Sequence, residues 1–159
     1  MSLLEMAGKA AIVTGGARGI GRGIVTALAT AGARVAIADM RADLAEQTAQ
    51  EVRRETGAEV LAVPTDITRL PEVQAMTERV LQALGTIDAL INNAGWEEMK
   101  PFLQTTPDLW DKLIAINYKG VLHTCYAVLP HMVARKQGAI VSISSDAGRV
   151  GSMGEAVYA

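Results

Sequence analysis

The stretch Thr14-Gly15-Gly16-Ala17-Arg18-Gly19-Ile20-Gly21 has the residue types and spacing to bind an anion. It follows the apolar run Ala10-Ala11-Ile12-Val13 and precedes a helical segment from Arg22 to Thr30, so it reads as strand, glycine turn and helix. Glycines at 15, 19 and 21 let the backbone turn tightly, let a bulky anion approach without meeting Cβ atoms, and let the helix pack on the strand. Amide N–H groups and the positive end of the helix dipole point at the same place, which suits the pyrophosphate of a dinucleotide. The spacing G-x-x-x-G-x-G meets the generic dinucleotide fingerprint only in part, and a turn that serves packing alone is the alternative.

Asp39 ends the next apolar run, Arg34-Val35-Ala36-Ile37-Ala38, 18 residues beyond Gly21. That is close to the roughly 20 residues expected for the acidic residue that binds an adenosine ribose. A carboxylate there accepts hydrogen bonds from the 2′- and 3′-hydroxyls and repels a 2′-phosphate, which favours NAD over NADP. Arg18 and Arg41 pull the other way, because either guanidinium could reach a 2′-phosphate. Asp66, in the polar corner Pro64-Thr65-Asp66-Ile67-Thr68, either accepts from an adenine amino group or holds the turn. Asn92-Asn93-Ala94-Gly95 follows a further apolar run.

The elements that must position these residues follow from periodicity. Apolar runs at Ala10 to Val13, Arg34 to Ala38, Glu59 to Val63, Ile87 to Ile91 and Ala139 to Ile143 predict five strands. Helical spacing predicts helices from about Gly21 to Ala31, Asp43 to Thr56, Pro71 to Leu84, and from Thr106-Pro107-Asp108 to about Lys136. Alternating strands and helices imply right-handed βαβ units, and so an α/β fold with a doubly wound parallel sheet of Rossmann type. Ligands of such sheets bind at the carboxyl ends of the strands, where the glycine turn, Asp39, Asp66 and Asn92 to Gly95 all fall. On the long helix, Leu109, Leu113, Ile116, Val121, Leu122, Cys125 and Leu129 are expected to face the core, Cys125 as a packing residue. Asn117 is a polar amide on that apolar face and must find partners or cost a few kcal/mol. His123 and His131 have no carboxylate or serine partner nearby in sequence, so no catalytic role is expected of them.

Half of the 159 residues are apolar, enough for one core, so a single domain over residues 1–159 is expected. No apolar stretch approaches a membrane span, and Met1 to Lys9 lacks a basic start followed by a long apolar core, which points to the cytoplasm. One cysteine excludes an internal disulfide, and one cysteine with two histidines argues against a metal site. A net charge of −2 with interspersed signs leaves no basic stripe for nucleic acid, so the expected partner is a small molecule.

Taken together, the turn from Thr14 to Gly21, Asp39, Asp66, Asn92-Asn93-Ala94-Gly95, Asn117, Ser145 and Tyr158 resemble the short-chain dehydrogenase/reductase family along the whole chain. Ala94-Gly95-Trp96, Lys100-Pro101-Phe102 and Ser145 to Tyr158 also look like dehydrogenases of the 2-hydroxycyclohexanecarboxyl-CoA type. The resemblance implies an NAD-dependent oxidoreductase acting on a secondary alcohol or ketone, with a hydroxyacyl-CoA as one candidate substrate. It implies cofactor contacts at Gly15, Arg18, Gly19, Ile20, Gly21, Asp39, Asp66, Ile67, Asn93, Ala94, Gly95 and Tyr158.

The same resemblance makes Tyr158 the acid/base, Ser145 the donor that holds the substrate oxygen, and Asn117 the residue that positions a water in the proton relay. A free phenol has a pKa of about 10, so a nearby cation must stabilise the phenolate. Family members use a lysine four residues after the tyrosine, which here falls past Ala159. They run to about 250 residues, so the domain is expected to be incomplete at its C-terminal side, and a protein ending at Ala159 is expected to be inactive. The resemblance further implies a homotetramer or homodimer. Trp96, Met153 and Glu155 flank the motifs and are candidate substrate-wall residues. Two other readings stay open: an NADPH-dependent 3-oxoacyl reductase, and a truncated, non-catalytic nucleotide-binding protein.

Overall fold

Five apolar runs become strands, four of them largely buried, since a parallel strand covered on both faces must be apolar on both. In a computed structural model that describes residues 6–159, they are β1 (Ala10–Thr14), β2 (Arg34–Asp39), β3 (Val60–Pro64), β4 (Ala89–Asn92) and β5 (Ala139–Ser142). The expectation of no leader falls partly on residues 1–5, outside the described residues. All four strand pairings are parallel, in the order β3-β2-β1-β4-β5. The chain therefore builds outward from β1 to β3, then crosses back to place β4 on the other side of β1. That reversal is the switch point at which open α/β sheets leave a crevice beyond the strand ends.

The helices are α1 (Gly19–Thr30), α2 (Ala42–Thr56), α3 (Leu70–Leu84), α4 (Pro107–Ile114), α5 (Gly120–Arg135) and the short α6 (Ala147–Val150). Strand residues alternate between two cores. Ala11, Val13, Val35 and Ile37 meet Val25, Ala29, Ala45, Ala49 and Val52 of α1 and α2. Ala10, Ile12, Ala36 and Leu90 meet Val73, Met76, Val80, Val128 and Met132 of α3 and α5 on the opposite face. This is the doubly wound Rossmann-type sheet read from the sequence. Among the described residues, no helix is long and apolar enough to cross a membrane.

Three expectations change. The long helix from Thr106 is not continuous: a π-helical turn, Ala115–Lys119, separates α4 from α5. Leu122 and Leu129 are exposed rather than core-facing, because at about 100° per residue both fall on the helix face opposite Leu113. They join Ile114, Tyr118, Tyr126 and Val133 in an outward stripe at spacings of three and four. The fourth strand begins at Ala89 rather than Ile87, although the Asp88 N–H still donates to the Ala10 carbonyl at 2.8 Å. The edge strand β5 pairs only with β4 among the described residues and is exposed throughout.

Asp88 locks the amino ends of β1 and β4 to α5. Its Oδ2 accepts the Ala10 N–H at 3.0 Å, and its Oδ1 accepts Arg135 Nη2 at 2.9 Å. Burial alone would raise the Asp88 pKa, but the Ala10 N–H, Arg135 and Lys9 together hold it below the ordinary aspartate value. A carboxylate with a depressed folded-state pKa stabilises the fold above its unfolded value, and that stability is lost as pH falls through the lower folded value. Asp88→Ala is therefore expected to cost about 2 kcal/mol at neutral pH. Urea unfolding repeated from neutral pH down past the ordinary aspartate value of about 4 checks this: the difference between the two proteins should shrink with acid.

Candidate functional site

The carboxyl ends of β1 and β4 are tied together by Thr14 and Asn93. Thr14 Oγ1 accepts the N–H groups of Asn93 and Ala94, both at 3.0 Å, and donates to the Ile91 carbonyl at 3.4 Å. A hydroxyl has one donor and two acceptor positions, so Thr14 is fully used. Asn93 Nδ2 returns the tie by donating to the carbonyls of Thr14 at 3.0 Å and Gly15 at 3.2 Å. Sequence reasoning placed Thr14 in the turn motif but missed this role. A hydroxyl ending an otherwise apolar buried strand was the available signal, since it has to find partners.

The two glycines of the helix start do different jobs. A Cβ on Gly21 would lie 2.1 Å from the Gly15 carbonyl oxygen and 2.6 Å from Asn93 Nδ2, so Gly21 lets α1 close on the turn. Gly19 has φ +55°, and a Cβ there would meet nothing within 4 Å. It borders open space at the start of α1, whose amides have no side-chain cap. Arg18 and Ile20 flank it and are exposed. This cradle of free amides without side chains fits a pyrophosphate-bearing cofactor.

Asp39 is 5% exposed, and its oxygens carry four hydrogen bonds. Oδ2 accepts the Ala17 N–H at 3.2 Å and Arg41 Nη2 at 3.3 Å, while Oδ1 accepts the Arg41 N–H at 3.1 Å and Arg41 Nε at 3.2 Å. The carboxylate is thus fixed to the glycine turn by Ala17 and covered by the Arg41 guanidinium. Asp66 holds its turn: Oδ1 accepts Thr68 N–H at 2.9 Å and Thr68 Oγ1 at 2.7 Å. Its Oδ2 is not used in these bonds. Ile67 is buried against Gly120, and its carbonyl accepts the His123 Nδ1–H at 2.9 Å. His131 Nε2 accepts the Ile87 N–H at 3.3 Å, so both histidines serve the backbone.

Asn117 finds the partners its place on an apolar face demands. Its Oδ1 accepts the Trp96 N–H at 2.9 Å and its Nδ2 donates to the Trp96 carbonyl at 2.7 Å, which pins the loop after Gly95 to the π turn. Lys112 Nζ lies 3.6 Å from the centroid of the Trp96 ring, a cation–π contact on the same loop. Beyond it, Phe102 stacks on Trp110 with ring centroids 5.7 Å apart.

Ser145 Oγ accepts the Ala147 N–H at 3.2 Å. Tyr158 is half-buried in a turn. The segment carrying Tyr158 lies against this same loop through a 2.8 Å bond from Lys100 N–H to the Gly154 carbonyl. Among the described residues, no hydrogen bond joins Ser145, Asn117 and Tyr158. Glu97 faces Glu155: loss of hydration, then repulsion and hydrogen bonding from Glu155, push the Glu97 carboxyl above its ordinary value. Met153 is 93% exposed.

Residues 9–159 match the family described as short chain dehydrogenase. The chain belongs to the short-chain dehydrogenase family. It is 36% identical over 154 residues to the 3-oxoacyl-(acyl-carrier-protein) reductase of Chlamydia muridarum, covering 97% of this chain and 62% of that relative. It is 36% identical over 149 residues to the 5-keto-D-gluconate 5-reductase of Escherichia coli, covering 94% of this chain and 58% of that protein. The crystal structure of an NAD+-bound xylitol dehydrogenase superposes with a TM-score of 0.93 at 32% identity, covering 96% of this chain and 59% of that one. The chain therefore spans about three-fifths of the length of these family members.

The two glycines can be told apart by stability. Gly21→Ala forces a Cβ onto a backbone oxygen and should cost at least about 2 kcal/mol. Gly19→Ala meets no atom and should cost about 1 kcal/mol of left-handed backbone strain. Thermal unfolding of the two variants checks this order, and equal melting temperatures would contradict it.

Proposed function

We propose that the protein is an oxidoreductase that transfers a hydride between a nicotinamide cofactor and a secondary alcohol or ketone, a hydroxyacyl-CoA being one candidate. The observation that carries this reading is the open, side-chain-free cradle at Gly19 beside a buried Asp39 that Ala17 holds in place, both at the switch point of the sheet. The amides at Gly19, Ile20 and Gly21 would take the pyrophosphate, with Arg18 flanking it. Asp39 would take the ribose, Asp66 and Ile67 would border the adenine, and Asn93, Ala94 and Gly95 would line the crevice beyond β4. When bound, the nicotinamide would supply or accept the hydride.

The remaining chemistry falls to side chains of this chain. Tyr158 would hold the proton exchanged with the substrate oxygen, and Ser145 would donate a hydrogen bond to that same oxygen. Because both ends of its amide already grip Trp96, Asn117 would contribute to a water relay only through what that grip leaves free. The position four residues beyond Tyr158, where a phenolate-stabilising lysine belongs, lies outside this sequence.

NAD is the favoured cofactor because Asp39 is a buried carboxylate. The second reading, an NADPH-dependent 3-oxoacyl reductase, draws on the Arg41 guanidinium at the same spot and on the likeness to the chlamydial reductase. Self-association as a homodimer or homotetramer draws on the exposed stripe from Ile114 to Val133, an apolar face of the kind that marks an interface.

The test is reduction of a panel of ketones and 3-oxoacyl thioesters, followed at the reduced-nicotinamide absorbance band with NADH or NADPH as donor. With the segment that carries the expected lysine present, turnover should be faster with NADH. Tyr158→Phe should lower kcat about a hundredfold or more while leaving NADH affinity within about threefold. Faster turnover with NADPH would support the second reading. Cofactor binding without turnover would support the non-catalytic one, and full activity in Tyr158→Phe would remove the tyrosine from the mechanism.

A further inference from the structure

We propose that His123 is a positioning residue: it fixes the corner after β3 to α5, in the orientation that meets the cofactor's adenine. The inference rests on the cofactor reading above, in which Asp66 and Ile67 border that base. Residues 66–68 are otherwise held from nearby in sequence. Asp66 Oδ1 accepts from Thr68, the Asp66 N–H donates to Glu72 Oε2 at 3.0 Å, and the Asp66 carbonyl accepts the Arg69 N–H at 3.1 Å. Among the described residues, the one hydrogen bond that reaches residues 66–68 from outside 63–72 comes from His123, to the Ile67 carbonyl at 2.9 Å. A carbonyl oxygen only accepts, so Nδ1 of His123 carries the hydrogen.

The same helix grips Ile67 in a second way. Ile67 is 8% exposed, and a Cβ on Gly120 would lie 2.5 Å from its Cδ1. Gly120 lies three residues before His123, so both stand on one face of α5. Apolar contact sets how near the corner lies to the helix, but it is non-directional and leaves the corner free to rock. The hydrogen bond is directional and removes that freedom. The consequence falls on Asp66. Its Oδ1 is taken by Thr68, which leaves Oδ2 to accept from the 6-amino group of adenine. One such bond selects the base only while the carboxylate is aimed at it, and the corner sets that aim. Thr65, one residue earlier, donates its N–H to the Asp39 carbonyl at 3.1 Å, so the corner is also tied to the strand end that carries the ribose carboxylate.

The test is calorimetric titration with NAD+ and with nicotinamide hypoxanthine dinucleotide, in which a carbonyl oxygen replaces the 6-amino donor. The parent protein should prefer NAD+ by about tenfold, because the analogue turns an acceptor toward Asp66 Oδ2. His123→Phe keeps a ring and loses the donor. It should bind NAD+ about threefold to tenfold more weakly and the analogue within about twofold of the parent, so the preference narrows. His123→Asn places an amide nitrogen where Nδ1 stood and should restore the parental preference. His123→Leu, with a smaller side chain, should match His123→Phe and takes its place if the phenyl ring hinders folding. If the donor-less variants weaken both dinucleotides by the same factor, or weaken neither, His123 serves folding alone and the inference is overturned. If the parent binds the two equally, Asp66 does not read the base and the inference falls with that assignment. If it binds neither, the cofactor reading itself fails.

Discussion

The site depends on the tie between two loops about 78 residues apart in sequence. The glycine turn after β1 and the Asn93 loop after β4 meet because the strands are neighbours, but neighbouring strands alone do not fix the loops beyond them. Thr14 and Asn93 do that, using every hydrogen-bonding position of one hydroxyl and both hydrogens of one amide. Each bond is worth only about 1 kcal/mol net, yet leaving the backbone groups unpaired would cost more, so the arrangement is strongly enforced. Gly21 is a consequence of the same crowding: the helix, the turn and Asn93 approach so closely that no Cβ fits.

A second chain of support runs from α4 and α5 to the loop after Gly95. The π turn between them carries Asn117, whose amide grips the Trp96 backbone, and Lys112 in α4 sits over the Trp96 ring. The segment ending in Tyr158 lies on this loop through Lys100 and Gly154. Asn117 thus holds the loop that meets, at Lys100, the turn four residues before Tyr158.

Much of this was legible in the sequence, for identifiable reasons. The five strands and the edge they share follow from apolar runs and glycine stops, which are local signals. Asn117 was singled out because a polar amide on an apolar face needs partners, but which partners depended on the fold. The π turn left no local mark, and Leu122 and Leu129, expected in the core, lie on the face that helical spacing from Leu113 puts opposite it. Arg41 was read as a group that could reach a 2′-phosphate. Its grip on Asp39 was not visible, because the same two residues could equally have pointed apart. Asp66 could be read as a turn holder or an adenine ligand; the turn is present, and its second oxygen leaves the other role open.

The central claim is that the crevice at the switch point, between the glycine turn, Asp39 and the Asn93 loop, receives the cofactor. Hydrogen–deuterium exchange with and without NADH tests it most directly. The account predicts slower exchange at residues 15–21, 39–41 and 93–96, with no change along the open groove between α3 and α5 where Thr77, Leu81, Tyr126 and Pro130 lie. Unchanged exchange at residues 15–21, or protection centred on that groove, would contradict it.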